Sequence, residues 1–323
     1  MAYQNVGTPR FYVNYGAYHS ANNFPNPVGS YFEPNRVRKI TELNPTIPHP
    51  DTRDVPHYFQ YPDLIGINYV FFLGHKFNTD GNELLVNVGG AWAGDFDLSI
   101  NISNILNDWN TPPELDGWSL GAFDDFPFED QFFRLYINGA YSCNSICFGR
   151  FYDMPHSPDL SLNMSIEMDG IKNIKTKGGV SLTSSNYTKP QNWGDGGAWQ
   201  LSSTLDDGTQ SAVASNLRQG RRSWDLSFIY LSDSDVFPDN ASTSYSSGSE
   251  QDDFATNVFD DTDFFSQVWN RTMGGHLPFI FQPDGSNANP DQFAICRFDM
   301  NSLQYDQVAN NVYNVKLKIR ECW

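Results

Sequence analysis

The sequence predicts an all-β protein: two β-sandwich domains, the first jelly-roll-like, with an extended N-terminal arm and one short helix. Three observations predict it. Aromatic residues make up 15% of the chain, with 25 Phe and 16 Tyr, side chains that favour pleated surfaces and interfaces. Short apolar or alternating runs recur between clusters of Gly, Pro, Asn and Asp, the texture of sandwiches and jelly rolls. Only one segment shows a good helical period. The 323 residues suffice for about two cores at roughly 150 residues each, and no repeat of solenoid or propeller period is visible.

Residues 1–60 are expected to form the arm. Pro25, Pro27, Pro34, Pro45, Pro48, Pro50 and Pro56 forbid long helices and interrupt ladder hydrogen bonding. Arg36, Arg38, Lys39 and Arg53 concentrate positive charge there, which suits a solvated arm that docks on an acidic neighbour.

Residues 61–214 form the expected first domain. Residues 67–73 and 84–88 read as strands joined into a hairpin by the turn Thr79-Asp80-Gly81-Asn82. Further strands are expected at 96–102, 132–137, 146–152, 161–168, 172–176 and 198–202. Leu162, Met164, Ile166 and Met168 alternate with Asn163, Ser165 and Glu167 before Asp169-Gly170, so a second hairpin is expected to continue through Ile171 and Ile174.

Residues 215–323 form the expected second domain. Trp224, Leu226, Phe228 and Tyr230 alternate with Asp225, Ser227 and Ile229, which places the aromatic set on one buried face. Residues 232–253 are rich in Ser and Asp with almost no aliphatic side chains, the composition of a mobile surface loop. The helix is expected over 261–272, capped by Thr262, with Phe264, Phe265, Val268 and Trp269 on one face and Gly274 ending it. Strands follow at 277–281, 292–299 and 313–321; in the last, Val315, Leu317 and Ile319 face inward and Lys316, Lys318 and Arg320 outward.

Charge and composition exclude several functions. Asp and Glu number 38 against 20 Lys and Arg, and the formal charge of -18 repels phosphate backbones and anionic lipid alike, so neither nucleic acid nor membrane is an expected partner. No stretch approaches the roughly 20 apolar residues of a membrane helix, and the N-terminus lacks a signal-peptide pattern, so synthesis and assembly in a cytoplasm are expected. Cys143, Cys147, Cys296 and Cys322 are then expected to be free thiols, mostly buried.

Candidate chemistry is sparse. His19, His49, His57, His75, His156 and His276 show no ligand-pair spacing, and Cys143 with Cys147 is at most half of a zinc site. Asp233, Asp235, Asp252, Asp253, Asp260, Asp261 and Asp263 lack the twelve-residue calcium loop. Gly178-Gly179, Gly196-Gly197 and Gly274-Gly275 read as turns or bulges without phosphate-loop context. The run Phe123-Asp124-Asp125-Phe126-Pro127-Phe128-Glu129-Asp130 interleaves carboxylates with rings, as sugar-binding surfaces do, and equally suits an acidic loop. Trp92, Trp118, Trp193 and Trp199 lie near Gly- and Asp-rich turns and are the candidates for glycan contact, against a role in core packing. No catalytic residue, cofactor or metal is expected.

The segment 223–323 resembles a recurring module of tailed-bacteriophage tail and baseplate structural proteins, particularly those of marine phages. The resemblance lies in Arg221-Arg222-Ser223-Trp224-Asp225-Leu226-Ser227-Phe228, residues 264–275, Leu277-Pro278-Phe279-Ile280-Phe281-Gln282-Pro283-Asp284 and Gln292-Phe293-Ala294-Ile295-Cys296-Arg297-Phe298. The opening Met1-Ala2-Tyr3-Gln4-Asn5-Val6-Gly7-Thr8-Pro9-Arg10-Phe11-Tyr12 and residues 150–179 also look like virion proteins of such phages, so the likeness covers about two thirds of the chain. It implies a tail-module-like second domain and a non-enzymatic role in a tail, baseplate or neck. The partners would be other virion proteins and further copies of the chain in a symmetric oligomer. Two alternatives share the fold: a carbohydrate-binding module that recognises a host-surface glycan, and a capsid decoration protein.

Overall fold

A computed structural model of the protein describes residues 6–15, 17–18, 47–48, 57–60, 68–75, 77, 81, 84–89, 98–101, 117–122, 132–137, 142–143, 145–159, 163–167, 171–185, 221–238, 263–288 and 292–322. Over these residues the chain is all-β, in antiparallel sheets with little helix. No described helix is long and apolar enough to cross a membrane.

The largest sheet contains eight of the described strands: β1 (Arg10–Tyr12), β2 (Phe151–Asp153), β3 (Asn163–Glu167), β4 (Arg221–Ser232), β5 (Phe279–Gln282), β6 (Ala294–Phe298), β7 (Tyr305–Ala309) and β8 (Val312–Glu321). Their order is β2-β1-β5-β6-β8-β4-β3, and β7 pairs with one end of β8. The sheet thus takes strands from all three predicted segments. Smaller sheets are built from Tyr69–His75 between Ser145–Gly149 and Gly117–Ala122, and from His57–Gln60, Phe132–Ile137, Leu84–Gly89 and Leu98–Asn101.

Burial explains why three central strands are apolar at consecutive positions. On β1, β5 and β6, Phe11, Phe279, Phe281, Ala294, Cys296 and Phe298 join one core cluster on one face, and Tyr12, Ile280 and Ile295 join another on the opposite face. A strand covered on both faces has no solvent side to alternate towards. The second cluster is completed by Tyr69, Phe71, Leu73, Leu120 and Cys147 from the three-stranded sheet. Farther along the large sheet, β4 and β8 have one wet face: Trp224, Leu226, Phe228, Val315, Leu317 and Ile319 are buried, while Asp225, Lys316 and Lys318 are exposed.

Several expectations need correction. Residues 11–15 of the predicted arm are buried, because Phe11, Tyr12, Val13 and Tyr15 form a core strand and its continuation between Pro9 and the later prolines. The two predicted hairpins exchange partners. Tyr69–His75 pairs with Ser145–Gly149 and Gly117–Ala122, while Leu84–Gly89 pairs with Phe132–Ile137 and Leu98–Asn101. Likewise β3 pairs with β4, and Ile171–Lys175 pairs with Ser181–Ser185. A local turn signal competes here with the larger apolar area that a distant partner strand covers.

The predicted helix is a π-helix, Phe265–Asn270. Asp263 acts as a cap, accepting the Ser266 backbone N–H on Oδ1 at 2.9 Å, and the predicted cap Thr262 lies outside the described residues. The wider turn also buries Ser266 and Gln267, and Gln267 accepts a hydrogen bond from the buried Tyr15 hydroxyl at 2.9 Å. Gly274, at φ +65°, ends the segment as expected. The predicted loop at 232–253 starts with a helical turn, Asp233–Val236, closed by a capping box between Ser232 and Asp235.

Candidate assembly surface

Two kinds of surface stand out: a basic hairpin and a cleft on the wet face of the large sheet. The hairpin consists of Ile171–Lys175 and Ser181–Ser185, which pair only with each other among the described strands. Its turn is set by Gly179 at φ +82°, a left-handed conformation that glycine adopts without strain. Thr176 fastens the turn, accepting the Gly179 N–H on its carbonyl at 2.9 Å and the Val180 N–H on Oγ1 at 3.1 Å.

Every residue from 173 to 182 is exposed. Ile174 and Leu182 lie directly opposite each other on one face, exposed by 59% and 56%, and Val180 at the turn is exposed by 59%. Lys175 and Lys177 flank this apolar set. A two-stranded hairpin alone is marginal in water, and an apolar cross-strand pair left wet on it is surface that a partner can bury.

The cleft has a volume of about 590 Å³ and lies between the outer faces of β4 and β8 and the connection 299–304. Strand register places Asp225 opposite Lys318 and Ser227 opposite Lys316. Lys318 Nζ lies 3.0 Å from Asp299 Oδ2, and its carbonyl accepts the Asp299 N–H at 2.8 Å, so the start of the connection is fixed to β8. Asp306, on β7, also lines the cleft, where three aspartates alternate with Lys316 and Lys318. Met300, Leu303 and Tyr305 pack against the first core cluster, which holds this wall in place from behind.

The structure locates the other sequence candidates as follows. Arg36, Arg38, Lys39, Arg53, Trp92, Trp193 and Trp199 lie outside the described residues, as do the acidic run at 123–130 and Asp252, Asp253, Asp260 and Asp261. Trp118 occupies strand Gly117–Ala122, opposite Leu73. Asp233, Asp235 and Asp263 sit at helical starts, and no group of three or more His, Cys, Asp or Glu among the described residues is arranged to hold a metal ion. Cys147 and Cys296 are buried free thiols and Cys322 is a half-buried one; burial pushes the Cys296 thiol well up, away from reactive thiolate.

Sequence reasoning missed both surfaces. Ser181–Ser185 is too polar to read as a strand, and the cleft joins residues about eighty positions apart. A usable signal was the run 171–185 itself, which contains Lys172, Lys175 and Lys177 and no Asp or Glu. Comparison of the chain with family models, with curated proteins and with solved structures gives no match.

Proposed function

We propose that the chain is a structural component of a tailed-phage virion, in the tail, baseplate or neck, and that it works through protein–protein assembly contacts rather than turnover. The observation that carries this reading is the hairpin 171–185, which presents Ile174, Val180 and Leu182 to solvent between lysines on an otherwise acidic chain. Such a mixture of exposed apolar area and complementary charge is what an assembly contact buries. The resemblance of 223–323 to phage tail modules supports the same reading.

The rigid scaffold behind the surface fits this role. Strands buried on both faces give the large sheet little freedom, so the cleft on its wet face is offered at a fixed position. The test is mass spectrometry of purified virions together with a reconstruction of the particle. The protein is expected in stoichiometric amounts, with its density in a ring around the tail or its adsorption end. Absence from purified particles overturns the reading.

A further inference from the structure

Tyr230 stands at the border of the cleft in a conformation that packing does not reward. Its backbone is left-handed, φ +62°, where side chains other than glycine are strained, and the residue is 73% exposed. The bulge that turns it outwards is closed by its N–H, which donates to Asn314 Oδ1 at 3.2 Å. Asn314 lies opposite Asp306, and Ser227, three positions before Tyr230, lies opposite Lys316, so the exposed ring adjoins the lined part of the cleft. A strained residue that contributes so little burial points to a ligand rather than to the fold.

The cleft offers hydrogen bonds in both senses. Its lining carries three aspartates and two lysines, close to neutral, with Ser227, Asn301, Ser302 and Gln304 among them. Asp299 and Lys318 bind each other, whereas the side chains of Asp225, Ser227, Asp306 and Lys316 make no hydrogen bond or ion pair among the described residues. Carboxylates only accept and ammonium groups only donate, so a ligand that satisfies both presents donors and acceptors side by side, as vicinal hydroxyls do. Mixed charge gives little hold on a polyanion, and the floor is the face of the paired strands β4 and β8, not a sheet edge that an extended peptide would lengthen. The exposed ring complements the apolar C–H face of a sugar. A volume of about 590 Å³ is that of a small-ligand cleft.

We infer that this face is a saccharide-binding site, in which Tyr230 stacks on a sugar ring while Asp225, Asp306 and Lys316 take its hydroxyls. The ligand is a short, uncharged stretch of oligosaccharide. The site goes beyond the assembly role proposed above and does not depend on it.

A glycan array of neutral, uronic-acid-containing and sulfated oligosaccharides, read with the full chain, tests this, followed by calorimetric titration of the strongest neutral ligand. Binding to a neutral oligosaccharide is expected, changed by less than about twofold between about 0.1 M and about 1 M salt, because the ligand carries no charge to screen. Tyr230→Gly should weaken it about tenfold, and Tyr230→Phe, which keeps the ring, by less than about threefold. Asp306→Ala and Lys316→Ser should each weaken it by about tenfold. Melting temperatures should not fall, as all three positions are exposed. Should Tyr230→Gly melt early, the titrations of Asp306→Ala and Lys316→Ser decide alone. Silence across the array, binding confined to sulfated probes and lost at about 1 M salt, or binding that these variants leave intact each overturns the site. A virion reconstruction in which a neighbouring subunit covers Tyr230 also overturns it while upholding the assembly role; saccharide binding by a chain absent from purified virions does the reverse.

Discussion

Arg10 grips Asp153 with two parallel hydrogen bonds, Nε to Oδ1 at 2.6 Å and Nη2 to Oδ2 at 2.7 Å, directly across the β1–β2 pairing. Its guanidinium also lies 3.9 Å from the centre of the Phe151 ring. The planar fork and the ring contact are properties of arginine that lysine lacks. Arg10→Ala is expected to cost about 1 kcal/mol, and Arg10→Lys to recover less than half of it, because Asp153 stays hydrated and the pair is screened. Urea unfolding of the three proteins measures this.

Phe11, one position on, is the more consequential residue. It is fully buried and meets the rings of Phe264, Phe279, Phe281 and Phe298 at centroid distances of 5.3 to 6.1 Å. Phe11→Ala should cost about 3–5 kcal/mol, the usual loss for a large core ring. Removal of residues 1–18 should prevent the large sheet from forming, since β5 would lose one of its two neighbours and both core clusters would lose their β1 residues. A truncated chain with near-wild-type circular dichroism and melting would show that this segment is a detachable arm after all.

Tyr12 points to the opposite face and donates its hydroxyl to Gln282 Oε1 at 2.8 Å. Burial is the main reason that its pKa is pushed up to about 12, against 10 in an open chain. The unfolded state therefore releases this proton first as pH rises. The stabilisation is intact below pH 10 and is lost between 10 and about 12, approaching about 3 kcal/mol from this residue. Tyr69 and Tyr152, also raised by burial, act in the same direction. Unfolding midpoints should fall steeply above pH 10, and Tyr12→Phe should flatten that fall while costing about 1 kcal/mol at neutral pH through the lost hydrogen bond.

Arg222 and Glu321 form a pair whose removal should be strongly non-additive. Glu321 has a side chain 1% exposed, accepts the Arg222 backbone N–H at 2.9 Å and has Arg222 Nε 3.6 Å away. Arg222 Nη2 also donates to the Phe293 carbonyl at 3.0 Å. Glu321→Ala is expected to cost about 3–5 kcal/mol, because it leaves a cation facing a desolvated site. Replacing both by apolar residues, Arg222→Met with Glu321→Leu, should cost far less than the sum of the single changes. A double-mutant cycle by chemical denaturation measures the coupling.

How much of this was legible depends on how far apart the deciding residues lie. The strands β4 and β8 were readable because Trp224, Leu226 and Phe228, and then Val315, Leu317 and Ile319, repeat at the period of a half-wet strand. The all-β class followed from the same pattern. Strand partners were not readable: β3 and Ile171–Lys175 flank an apparently good turn at Asp169-Gly170, yet each finds its partner elsewhere. The cleft was hidden for the same reason, since Asp225 and Asp306 meet only through the pairing of β4, β8 and β7. The hairpin's lysines were visible, but exposure of Ile174 and Leu182 is a property of the fold and not of the run itself.

Tyr230 shows how one inserted residue defeats a sound period. The alternation that buries Trp224, Leu226 and Phe228 predicts a buried Tyr230, but the β4–β8 register shifts between Phe228 and Leu231. Leu231 takes the inward place at 1% exposure, and Tyr230 is turned out at 73%. The bulge is held by a left-handed Tyr230 backbone, φ +62°, whose N–H donates to Asn314 Oδ1 at 3.2 Å. A bulky residue in that conformation costs about 1 kcal/mol or more, and its exposed ring returns little packing. Tyr230→Gly is therefore expected to leave stability unchanged or raise it by up to about 1 kcal/mol, and Tyr230→Val to lower it. Thermal melting separates the outcomes: a loss of several kcal/mol in Tyr230→Gly would mean that the ring is packed and that the alternation runs through position 230 unbroken.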